Sequence, residues 1–131
     1  MKILIADDHA YVRRGLRAIL VDEFSNAQFS EAADGVGVLA ELLKSRHDVL
    51  LLDINMPGRS GLEVLKDVKL IYPLLPVIMV SVQPENQYAS RCLRAGATAY
   101  INKDGASDEL APAIRKIFDS GTMPLPGLTV A

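Results

Sequence analysis

The chain has 131 residues, half of them apolar and 23% charged, with 9 Gly and 7 Pro. That composition excludes disordered and low-complexity classes and fits one domain around one core. A formal net charge of −2 excludes a chain whose whole surface grips nucleic acid or anionic lipid, and the single cysteine, Cys92, excludes an internal disulfide and a thiolate metal site.

The first predicted element is a strand over residues 2–6, which runs into Asp7-Asp8-His9. That early acidic turn leaves no room for a secretory signal. The first helix carries Val12, Leu16, Ile19 and Leu20 on one stripe, with Arg13, Arg14 and Arg17 elsewhere on its wheel. A strand over 27–32 leads to a helix with the stripe Val36, Leu39 and Leu43. The third strand, 48–54, contains Asp53, and its helix buries Val64, Leu65, Val68 and Tyr72. The fourth, 76–81, ends in Ser81 and precedes a helix marked by Ala89, Cys92 and Leu93. The third and fourth strands are the most continuously apolar and are expected at the centre of a sheet.

The fifth strand, 98–102, meets Lys103, and the last helix offers Ser107 as N-cap and Leu110, Ile114, Ile117 and Phe118 as its stripe. Pro112 removes an amide from that helix, which is expected to start late or bend. Residues 122–131 hold two prolines, no charge and no helical stripe, so residues 1–121 read as the domain and 122–131 as a linker or tail. No apolar run approaches the ~20 residues that span a bilayer. A soluble cytoplasmic protein is expected. Short apolar runs alternating with helical stripes are the signature of a doubly wound five-stranded parallel α/β sheet, in three layers.

In such sheets the site forms at the carboxyl ends of the strands, where the strand order reverses. Those ends carry Asp7, Asp8, Asp53, Ser81 and Lys103. Any one carboxylate alone reads as an N-cap or a solvated loop residue. Three converging carboxylates repel, and such a cluster calls for a raised pKa or a cation between them. Mg²⁺ suits it, because that ion takes one or two protein carboxylates plus a phosphate oxygen, and Asp8 and Asp53 can supply the carboxylates. Asp53 can then be a nucleophile that forms an aspartyl phosphate, while Lys103 and the Ser81 hydroxyl grip the phosphoryl oxygens.

The segments Ile5-Ala6-Asp7-Asp8-His9, Glu31-Ala32-Ala33-Asp34-Gly35, Leu52-Asp53-Ile54-Asn55-Met56-Pro57-Gly58 with Gly61, Val80-Ser81, and Gly96-Ala97-Thr98-Ala99-Tyr100-Ile101-Asn102-Lys103-Asp104 resemble the receiver domain of bacterial two-component response regulators. The likeness is to the NarL/FixJ type and covers residues 1–121. It implies the CheY-like, flavodoxin-like strand order 2-1-3-4-5, with Asp53 as phosphoacceptor. It also implies Mg²⁺ held by Asp8, Asp53 and the backbone carbonyl of Asn55, with Asp7 acting through water. Ser81 and Tyr100 would form a switch that reshapes the face of helix four, strand five and helix five, with possible homodimer formation. The implied partner is a sensor histidine kinase, and DNA is implied only through a helix-turn-helix domain absent from this chain. A stand-alone receiver acting by protein contact is the alternative. The protein is expected not to be an enzyme in the ordinary sense, but a phosphoacceptor that assists its own phosphorylation and dephosphorylation. The family commonly has Lys-Pro, often cis, where this chain has Lys103-Asp104.

An aspartyl-nucleophile phosphatase would need a second Asp two residues after Asp53, where this chain has Asn55. A flavin or nucleotide carrier would place phosphate beside Asp7-Asp8, which repel it. His9 is expected to be structural, His47 solvated, and Cys92 a buried apolar residue without redox function. Arg13, Arg14 and Arg17 read equally as a solvated face or a kinase-docking patch. Asn55 and Gln83 lie where the resembling family tunes the approach of water.

Overall fold

The structure is a computed structural model that describes residues 1–119. The chain alternates β1 (Lys2–Ala6), α1 (Ala10–Glu23), β2 (Gln28–Ala32), α2 (Gly35–Lys44), β3 (Val49–Leu52), α3 (Gly61–Ile71), β4 (Val77–Ser81), α4 (Glu85–Arg94) and β5 (Ala99–Asn102). A 3₁₀ turn, Lys103–Gly105, then leads into α5 (Ala106–Asp119). The five strands form one parallel sheet in the order β2-β1-β3-β4-β5, as the resemblance implied. β3 and β4 are buried throughout, because parallel strands covered on both faces must be apolar on both. The predicted tail, 122–131, lies outside the described residues.

Strand alternation divides the core by sheet face. Leu4, Leu50, Leu52, Val77, Met79 and Tyr100 face α2, α3 and α4, where Val38, Leu42, Leu65, Val68 and Cys92 meet them. Ile3, Ile5, Leu51, Ile78, Val80 and Ile101 face α1 and α5, against Leu16, Leu20, Leu110, Ile114 and Ile117. Cys92 is fully buried, as its stripe predicted.

The structure corrects four expectations. α2 buries Val38 and Leu42 rather than Val36 and Leu43, which are 81% and 82% exposed. That helix is apolar on most of its surface, so its period could not select the face. Tertiary contact selected it. Ser107 does not cap α5 but lies inside it, because the Asn102 side chain accepts from the Asp104 N–H at 2.9 Å and starts the preceding 3₁₀ turn. The helix therefore starts early and continues past Pro112, which lies with Asp108 on an exposed face where water can serve the orphaned carbonyl. His47 is buried rather than solvated, its Nε2 at 2.5 Å from Ser30 Oγ and its Nδ1 at 3.0 Å from the Ser45 carbonyl.

The loop from β3 to α3 places the site. Ser60 begins α3 with a capping box in which its hydroxyl accepts from the Glu63 N–H and the Glu63 carboxylate accepts from the Ser60 N–H. Gly61 then packs against the loop backbone, where an added Cβ would lie 1.9 Å from the Asp53 carbonyl oxygen. Gly58, at φ +80°, supplies the left-handed residue that a turn begun by Pro57 needs.

Candidate functional site

Sheet order reverses between β1 and β3, and their carboxyl ends lie side by side. Beyond the strands the ladder continues by one rung on each side of β1. The Asp7 N–H donates to the Ala32 carbonyl and the Asp53 N–H to the Ala6 carbonyl, both at 3.0 Å. These bonds hold both aspartate backbones in register with the sheet. The side chains are almost sealed from solvent, Asp7 at 1% and Asp53 at 3% exposure.

Lys103 enters from the 3₁₀ turn after β5. Its Nζ lies 2.7 Å from Asp7 Oδ2 and 3.5 Å from Asp53 Oδ2, so one ammonium bridges two buried carboxylates. Two oxygens remain short of partners. Asp53 Oδ1 has no hydrogen bond, and Asp7 Oδ2 meets the ammonium in an ionic contact without an aligned hydrogen bond. Burial raises the Asp53 pKa above its ordinary 3.8, with the Asp7 charge adding to that rise. Lys103 opposes it, as do the N–H groups of Asn55 and Ile54.

Asp8 is more open and lies across from this pair. The His9 ring bridges the acids, its Nδ1 at 3.0 Å from Asp8 Oδ1 and 3.3 Å from Asp7 Oδ1. The His9 N–H also donates to Asp7 Oδ1 at 2.9 Å. One ligand atom from each of Asp7, Asp8 and His9 falls within 4.8 Å of the others. A buried carboxylate oxygen without a donor, beside two further acids, fits a hard divalent cation. Asn55 lies two residues after Asp53 in the same loop.

At the ends of β4 and β5, Ser81 is fully buried and its Oγ accepts from the Gln83 N–H at 3.1 Å. The Tyr100 hydroxyl donates to the Gln83 carbonyl at 2.9 Å. Gln83 thus ties the two side chains to one peptide segment, a link that sequence reading did not find because both bonds go to backbone. The Lys103–Asp104 bond is trans, as are all peptide bonds among the described residues.

Arg13 was also misjudged from sequence. It is neither a solvated side chain nor a free patch: its guanidinium donates to the Asp7 carbonyl at 2.7 Å and to Glu31 at 2.6 Å. It braces the loop that carries the acids. No sequence signal links positions 13 and 31, because β2 alone brings them together. Arg14 and Arg17 remain exposed.

A doubly wound α/β domain with an acidic cluster and a lysine at the carboxyl end of its sheet defines a class of CheY-like receivers. The family model for the response regulator receiver domain matches residues 3–115, and the chain belongs to that family. The oxygen regulatory protein NreC of Staphylococcus epidermidis is 36% identical over 93% of this chain and 56% of its own length. The chain therefore spans little more than half of that relative. The RcsB response regulator of Salmonella typhimurium superposes with a TM-score of 0.84 at 26% identity, over 92% of this chain and 60% of that one. TrrA of Thermotoga maritima, solved in complex with Mg²⁺ and a beryllium fluoride, gives 0.79 at 28% identity, over 88% and 97%. Among the described residues, no helix is long and apolar enough to cross a membrane.

Proposed function

We propose that this receiver is a phosphorylation-dependent switch that accepts a phosphoryl group on Asp53. The observation that carries the reading is the buried, unpartnered Asp53 Oδ1 with the Lys103 ammonium on the other oxygen of the same carboxylate. An Asp53 oxygen attacks phosphorus and forms the new P–O bond. The bond to the donor breaks, and the leaving imidazole of a kinase phosphohistidine, or acetate from acetyl phosphate, departs with the electron pair. Burial favours reaction by removing water from the carboxylate, and Lys103 and the Ser81 hydroxyl would meet the added oxygens.

Asp8, Asp53 and the Asn55 backbone carbonyl would hold Mg²⁺, with Asp7 acting through water, and the ion would offset the charge of the acids as the phosphoryl group arrives. The convergence of Asp7 and Asp8, with His9, beside the unpartnered Asp53 oxygen supports a cation among these acids, and TrrA was solved with such an ion. The chain turns over no separate substrate and promotes only its own phosphorylation and dephosphorylation. Its partner is a sensor histidine kinase. Output to DNA passes through a separate DNA-binding domain, as the DNA interaction of its structural neighbour RcsB suggests.

Acetyl phosphate with Mg²⁺ tests the reading. Intact mass is expected to rise by one phosphoryl group, with hydroxylamine trapping at Asp53 and loss of labelling in Asp53→Asn. Undiminished labelling of that variant would overturn the assignment.

A further inference from the structure

The Arg13 side chain is 17% exposed, whereas Arg14 and Arg17 of the same helix stand exposed. Its guanidinium joins two segments that are distant in sequence. Nε donates to Glu31 Oε1 at 2.6 Å, and Nη1 donates to the Asp7 carbonyl at 2.7 Å. Glu31 stands opposite Ile5 in the β1–β2 register, on the strand at the sheet's edge, so it anchors the guanidinium beside the end of β1. The Asp7 carbonyl belongs to the peptide plane that also carries the Asp8 N–H and Cα. The preceding peptide is already held, because the Asp7 N–H donates to the Ala32 carbonyl. Arg13 thus fixes the next unit, and with it the direction in which the Asp8 side chain leaves the backbone. Side-chain contact holds Asp8 less firmly, since its carboxylate is 31% exposed and the His9 ring it meets is 53% exposed.

We propose that Arg13 is a positioning residue for the divalent cation: by holding the Asp7–Asp8 peptide it presents the Asp8 carboxylate to the ion, and so tightens cation binding although it is itself a cation. The inference rests on the reading that Asp8 and Asp53 hold Mg²⁺. Two effects of Arg13 oppose each other there. Its charge repels a cation, but Glu31 at 2.6 Å offsets much of that repulsion. Its hydrogen bond removes in advance the freedom that Asp8 would lose on binding the ion, and groups that orient a metal ligand commonly carry ~10–100-fold of the affinity. Orientation is therefore the larger effect. The residue type follows from the geometry, because a planar guanidinium serves a carboxylate and a carbonyl at once, whereas an ammonium on a flexible stem fixes neither direction.

Titration calorimetry of the full chain with Mg²⁺ tests this. For Arg13→Gln, charge alone predicts tighter binding than wild type, and positioning predicts binding weaker by ~10-fold. Arg13→Gln combined with Glu31→Gln removes one charge of each sign, leaves the net charge unchanged, and is expected to bind as weakly as Arg13→Gln. Arg13→Lys keeps the charge without the fork and is expected to fall between Arg13→Gln and wild type; it carries the comparison should Arg13→Gln not fold, which melting curves report. In labelling by acetyl phosphate, the Mg²⁺ concentration for half-maximal rate is expected to rise by the same factor while the rate at saturating Mg²⁺ falls less, a split that general loosening of the fold would not produce. Wild-type or tighter affinity in Arg13→Gln or in the double variant overturns the proposal. Asp8→Ala separates it from the reading beneath it. If that variant binds Mg²⁺ like wild type, the cation assignment falls and the proposal with it; if it loses binding while the arginine variants keep wild-type affinity, the positioning role alone is overturned.

Discussion

Asp53 is the residue on which burial and charge act against each other. Its carboxyl titrates above the ordinary 3.8 in the folded chain, first because it is buried and then because Asp7 is near. The consequence for stability has a definite sign. Below 3.8 both folded and unfolded states hold the proton, and the group contributes nothing. As pH rises the unfolded state ionises first, so the charged carboxylate costs stability up to and beyond the folded-state pKa. Asp53→Asn removes this cost, and without Mg²⁺ it is expected to melt higher than the wild type at pH 7, the advantage shrinking toward pH 4. Thermal melts across pH check this. An advantage that grows on acidification would contradict the account. Mg²⁺ that binds only the folded state raises the melting temperature of the wild type, and Asp8→Ala is expected to lose most of that rise, as a metal titration followed by melting would show.

His47 and Gly61 control how elements meet. Burial lowers the His47 pKa below 6.5, the Ser45 carbonyl opposing and the Lys2 charge assisting, with Glu41 and Asp48 pulling upward. An unfolded chain then takes up the proton first as pH falls, so His47 contributes stability above 6.5 that is lost on acidification. The stability difference between wild type and His47→Gln is expected to move against the wild type between pH 7.5 and 5, measured by denaturant titration at both ends. Gly61 joins α3 to the Asp53 loop so closely that a Cβ would overlap the Asp53 carbonyl oxygen and approach Ile54 Cα to 2.7 Å. Those are backbone atoms and cannot step aside, so Gly61→Ala is expected to cost about 3 kcal/mol or more and to slow phosphorylation by displacing Asp53. Normal labelling in a stably folded Gly61→Ala would show that the loop tolerates the shift. α4 stands apart from both. It begins at Pro84 without a side-chain cap, and Cys92 is its one buried residue among those described, so it has the least packing to lose in a rearrangement.

Across the whole molecule, the proposed switch runs from the phosphoryl site through Gln83 to Tyr100. Ser81 and Tyr100 each bond the Gln83 backbone, so a Ser81 hydroxyl that turns to a phosphoryl oxygen must release one end of that link. The phosphoryl group shifts the equilibrium only by the difference in its contacts between the two states. Beryllium fluoride with Mg²⁺ is expected to change amide-exchange protection over residues 82–102, and Tyr100→Phe, which lacks only the hydroxyl, to weaken that response. No change in the wild type would leave the phosphoacceptor chemistry without an output. Arg115 of α5 turns to α1, where it pairs with Glu23 and lies 5.2 Å from the centre of the Phe24 ring. Arg91 and Arg94 remain exposed on α4.

The alternation of apolar runs and helical stripes determined five strands and five helices, since each element must bury one face and its period names which. It also placed Asp7, Asp8, Asp53, Ser81 and Lys103 at strand ends, because in a parallel sheet every strand points its carboxyl end the same way. What it left open was every choice between equivalent surfaces and every bond between distant segments. α2 offered two apolar stripes, and only contact with the sheet selected Val38 and Leu42. Arg13 met Glu31 because β2 lies beside β1. His47 was buried by a serine from β2, and Ser107 lost its capping place to a turn begun five residues earlier. Periodicity reports which residues one element can hide from water. Only the packed sheet decides against which neighbour they are hidden, and with that which carboxylate is left buried without a donor.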